Sequence, residues 1–210
     1  MIVIIFVLFQ LKQPQKPIGN NEAVQTDKLP RHIWFLVISI MFANMANSAY
    51  INAIPIYLTK ELGVATSFPG ILFGITAAIE IPAMLYSVTW AQRFGKVTVM
   101  KWGFVVALLF YASMYFSTSL AAFIILQLLN GLFFGIFVGL GITLMQDFAP
   151  NGIGKASAIY SNAMLLGTMI GTSSMGLMSQ FFGFKSPLLL SLFSVFISLC
   201  AMLSFERFSK

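Results

Sequence analysis

Long apolar runs separated by short polar breaks dominate this chain. Six runs fall at about 33–58, 67–91, 102–118, 120–146, 156–181 and 187–205. Each is close to the roughly 20 residues that a helix needs to cross a bilayer. Only Ser117, Thr118 and Ser119 part the third run from the fourth, which predicts a tight turn. A shorter apolar run at 1–11 ends at Lys12. As helix it covers only ~15 Å, and it lacks the basic start and small-residue cleavage site of a signal peptide. The next stretch holds Pro14, Pro17, Gly19 and Pro30 among polar residues and reads as a linker. The pattern predicts an all-α membrane protein. Its parts are a partial transmembrane helix at 1–11, a cytoplasmic linker at 12–32, a six-helix transmembrane domain at 33–205 and a cytoplasmic tail at 206–210.

Composition sharpens this picture. Of 210 residues, 59% are apolar and 9% charged, against roughly 25% charged in a soluble domain. A water-soluble enzyme of this length has no interior large enough for that apolar surface, and a disordered chain would be far more polar. The net charge of +6 does not point to nucleic acid, because the bases sit in short loops rather than along one stripe. They set an orientation instead. Lys12, Lys16, Lys28, Arg31, Arg93, Lys96, Lys101, Lys155, Arg207 and Lys210 fall on one side, and only Lys60 and Lys185 on the other. By the positive-inside rule the richer side is cytoplasmic. Trp34, Trp90 and Trp102 all fall at that interface. The expected setting is the cell membrane, with both ends of the six-helix unit cytoplasmic.

Chemistry-bearing residues are few. Cys200 is the single cysteine and His32 the single histidine, so no Cys/His metal site is expected and no cofactor is implied. Without a nucleophile–base set, an enzyme is not expected either. Glu80 is the one ionisable residue deep within a run, ~20 Å along its helix. A carboxylate there must face water, find a partner or carry a proton, which makes it a candidate for substrate binding and proton coupling, or else structural glue between helices. Pro82 follows it and weakens the helix locally. On the first long helix, Asn44, Asn47, Ser48 and Asn52 share an arc of about 140° at helical spacing. Amides facing lipid are expensive. They therefore line a cavity suited to sugar hydroxyls or bond to another helix. Gln127 and Asn130 form a similar pair four runs in, and Ser161, Thr168 and Thr172 share a face of the fifth helix. Gly131, Gly135 and Gly139, like Gly167 and Gly171, repeat every four residues and predict close helix packing.

A family resemblance rests on named blocks. The turn Arg93-Phe94-Gly95-Lys96 is similar to the cytoplasmic loop motif of the major facilitator superfamily, although Val88 and Gln92 replace its glycine and aspartate. A linker followed by six helices resembles the C-terminal half of such a transporter. Pro55 to Gly63, Glu80-Ile81-Pro82, Gln127 to Gly131, Gln146-Asp147 and Tyr160 to Asn162 resemble the sugar efflux transporter (SET-type) family. That resemblance implies export of sugars such as lactose, glucose or thiogalactosides on the proton gradient. It supports Asn44, Asn47, Glu80, Gln127 and Asn130 as cavity residues. It also implies a missing N-terminal half, since facilitators bind substrate between two six-helix halves. The expected partners are a sugar or other small molecule, the bilayer, and a separate N-terminal half or second copy. Two alternatives stay open: a drug or amphiphile exporter of the same superfamily, and a non-transporting fragment that needs a partner half.

Overall fold

The computed structural model describes residues 30–148 and 152–209. The expected partial helix at 1–11 and most of the linker lie outside these residues. The described residues form six α-helices: α1 Ile33–Ile56, α2 Phe68–Phe94, α3 Lys96–Phe116, α4 Leu120–Asp147, α5 Ile153–Phe182 and α6 Pro187–Ser209. A π-helical turn, Tyr57–Glu61, continues α1. Five of these helices are long and apolar enough to cross a membrane; α5 is 30 residues long but is not among them. Its Ser, Thr and Asn positions lower its apolarity.

Three helix ends depart from the sequence expectation. The cytoplasmic loop expected at 92–101 contracts to Gly95 alone, because that residue takes a φ of 85°. Only glycine adopts this conformation freely, so one residue reverses the chain. The basic residues Lys96 and Lys101 consequently lie on α3 rather than in a loop. The last helix runs through Ser209, past the expected end at 205. At the end of α1, Pro55 lies inside the helix and the Leu62 N–H reaches back five residues to the Tyr57 carbonyl at 3.2 Å.

Small residues determine which helices meet. A Cβ on Gly131, Gly135 or Gly139 of α4 would stand 2.7 Å from the Thr76 carbonyl, 2.6 Å from the Glu80 carbonyl or 2.6 Å from Ser87 Oγ of α2. Gly167 and Gly171 of α5 press in the same way on the Met41 and Met45 carbonyls of α1. Serines join α1 to α6: Ser39 Oγ donates to the Ser198 carbonyl at 2.9 Å, and Ser198 Oγ returns a bond to the Ser39 carbonyl at 2.7 Å. Aromatic rings fill the space between α1 and α3, with Tyr50 edge-on to Phe110 at 5.1 Å. Large apolar side chains also cover the outside, Ile125 at 63% and Phe193 at 66% exposure among them. A surface of that kind belongs against lipid.

Candidate functional site

Two polar seams run along α1, and Asn47 lies between them. The first joins α1, α2 and α4. Gln127 is fully buried. Its Oε1 accepts from Tyr50 Oη at 3.1 Å, from Thr76 Oγ1 at 2.8 Å and from Asn130 Nδ2 at 3.3 Å. Its Nε2 donates to the Phe123 carbonyl at 2.9 Å. The Gln127 amide thus has both ends occupied by protein. Asn130 differs, because its buried Oδ1 has no partner among the described residues.

The second seam joins α1 to α5 in steps of one helical turn. Asn44 Nδ2 donates to the Met164 carbonyl at 2.6 Å and to Thr168 Oγ1 at 2.7 Å. Ser48 Oγ donates to the Thr168 carbonyl at 3.2 Å and lies 2.9 Å from Thr172 Oγ1. Asn52 Nδ2 donates to the Ser48 carbonyl at 2.7 Å. Residues 44, 48 and 52 advance by one turn each, as do 164, 168 and 172, so the bonds repeat in register.

Asn47 sits angularly between Tyr50 and Asn44 on the α1 wheel. It is only 6% exposed, and its amide forms no hydrogen bond with the described residues. One turn on, Ile51 is 42% exposed and marks the open side of α1. Glu80 is half-buried on α2, and among the described residues its carboxylate has neither an ion pair nor a hydrogen bond. Its backbone carbonyl lies against Gly135. The structure therefore brings Gln127 and Asn130 into one network, seats Asn44 in another, and leaves Asn47 and Glu80 unengaged. Sequence reasoning missed Tyr50 and Thr76. The available signal was Gln127 itself, since a buried amide in an apolar helix requires partners on its neighbours.

At the α2–α3 turn, Lys96 Nζ pairs with Asp147 Oδ2 at the end of α4, 2.6 Å away. The Arg93 guanidinium lies 5.4 Å above the Phe94 ring, and Gly95 provides the reversal. Gln146 Nε2 donates to Ser157 Oγ at 2.9 Å, tying α4 to α5 at this same end. At the opposite end Glu61 Oε1 accepts the Phe184 N–H at 2.8 Å and fastens the π-helical turn to the α5–α6 loop. No group of three potential metal ligands occurs among the described residues.

Membrane-length helices and an apolar exterior define a multi-pass membrane protein. The Major Facilitator Superfamily pattern matches residues 36–208, and the chain belongs to that superfamily. It is 32% identical to sugar efflux transporter C of Escherichia coli K12 over 84% of this chain and 44% of that protein. With sugar efflux transporter A of the same organism the identity is 28%, over 87% of the chain and 47% of the relative. Sugar efflux transporter B of Salmonella typhimurium LT2 is 30% identical over 80% and 42%. The chain spans about half the length of the curated relatives it matches.

Proposed function

We propose that this chain supplies one six-helix half of a sugar exporter in the cell membrane. The observation that carries the reading is its similarity, over most of its length, to proteins named sugar efflux transporters. The polar seams support it chemically. Asn47 and the unpartnered Oδ1 of Asn130 offer hydrogen-bonding groups to substrate hydroxyls, and Glu80 serves as a further acceptor and as the proton-exchanging group. Asn44 and Gln127 serve the same site by holding α5 and α4 against α1. Transport runs by alternating access, with the rest of the site on a second half, either a separate N-terminal half or another copy. The end bearing Arg93 and Lys96 faces the cytoplasm.

The test is sugar efflux from cells preloaded with a radiolabelled thiogalactoside. The chain is expressed alone and together with the part of sugar efflux transporter C that it does not match. Efflux is expected in the paired expression and is expected to fall with Asn47→Leu at unchanged membrane content. Glu80→Gln is expected to make the remaining efflux insensitive to a protonophore. No efflux in the paired expression would remove sugar export as the reading, and efflux indifferent to both substitutions would remove Asn47 and Glu80 from the site.

A further inference from the structure

The molecule carries a second feature on a different side. An apolar groove of about 270 Å³ opens between α2, α3 and α4 near the Gly95 turn, lined by Trp90, Phe94, Trp102, Val106, Leu132 and Ile136. None of these residues belongs to α1 or α5, which carry the amide-bearing seam. The floor forms because Gly103 lets α3 close on α4: a Cβ there would stand 3.1 Å from Ile136 Cγ2. Phe94 and Trp102 are each 45% exposed, with ring centroids 5.1 Å apart at the rim. Trp at this height along a span is characteristic of the headgroup level.

Charge at the rim is specific. Lys96 is paired with Asp147 and Lys101 with Glu206, each at 2.6 Å. Arg93 forms no ion pair among the described residues, and its guanidinium lies over the Phe94 ring at the edge of the groove. A wholly apolar slot with one uncompensated guanidinium at its mouth matches an acyl chain joined to an anionic headgroup. We infer that the groove binds one anionic glycerophospholipid, its chain against Ile136 and Val106 and its phosphate on Arg93. Phosphatidylcholine fills the slot as well but brings its own cation to the guanidinium, so the site selects by headgroup.

Tryptophan fluorescence with brominated lipids tests this on the full chain, which has only three tryptophans. A Trp34→Phe protein reports from the groove, and a Trp90→Phe/Trp102→Phe protein reports from Trp34 alone. Both are placed in phosphatidylcholine vesicles containing equal fractions of dibrominated phosphatidylglycerol or dibrominated phosphatidylcholine. The groove reporter is expected to favour phosphatidylglycerol by about fivefold in apparent affinity, the factor one basic residue contributes at an anionic surface. Arg93→Gln is expected to abolish that preference, and Arg93→Lys to retain most of it. The Trp34 reporter is expected not to respond to Arg93→Gln. Val106→Phe, which fills the slot, is expected to weaken quenching by either lipid. Equal quenching by the two lipids, a preference that survives Arg93→Gln, or a preference erased by millimolar free phosphate would each overturn the assignment.

Discussion

Gln127 and Asn47 are both amides inside an apolar bundle, and the structure gives them opposite circumstances. Gln127 Oε1 accepts three hydrogen bonds. Gln127→Leu strands the Tyr50 hydroxyl, which is fully buried, and is expected to destabilise the bundle by about 1–3 kcal/mol. Thermal unfolding in detergent measures this, and an unchanged midpoint would show that the network does not hold the helices. Asn47 has no such obligations. Asn47→Leu breaks no hydrogen bond among the described residues and is expected to lower the same midpoint less than Gln127→Leu does, so that its main effect appears in efflux. The amide stripe was legible at helical spacing, but its division was not. Periodicity places Asn44, Asn47 and Asn52 on one side of α1, and only the position of α5 decides that Asn44 is engaged and Asn47 is not.

Glycine spacing carries the same lesson among the elements. The repeat at 131, 135 and 139 marked a close helix contact, and the structure identifies its partner as α2. Gly135→Ala would push a methyl group into the Glu80 carbonyl and is expected to destabilise by about 1–3 kcal/mol. Gly74 has open space around its missing side chain. Gly74→Ala is therefore expected to be neutral or to stabilise by up to about 1 kcal/mol through helix propensity. Equal effects at the two sites in a detergent melt would refute packing as the distinction. The existence of the six described helices was readable because apolar runs of that length have few other solutions in lipid. Helix ends were less readable. Arg93, Lys96 and Lys101 suggested a loop, yet long basic side chains extend from a helix to the interface, leaving Gly95 as the only break.

At the scale of the whole molecule, the proposed orientation puts both ends of the six described helices on one side, the side richer in bases. Cysteine accessibility checks this in a Cys200→Ser background. A cysteine at Ser117 is expected to react with an impermeant maleimide in intact cells, and one at Ser209 only after lysis. The reverse pattern would invert the orientation. The pair Lys96–Asp147 is too exposed to matter much for stability, with side chains 34% and 50% accessible. Asp147→Asn is expected to shift stability by less than about 1 kcal/mol in a detergent melt, and a larger loss would show that the pair holds the α2–α3 turn against α4.

Sequence alone determined that this protein lives in lipid, where its six described helices fall, and which residues were too polar to face hydrocarbon. Those conclusions follow from transfer free energies, which depend on composition along a segment and not on its neighbours. Only the tertiary structure decided which helices touch and which amides are used up by that contact. It alone joined Trp90, Trp102 and Ile136 into one groove from three separate helices. Hydrogen bonding and close packing are pairwise and short-ranged, so their outcome depends on residues far apart in the chain, such as the Asn44 amide and the Thr168 hydroxyl that meet at 2.7 Å.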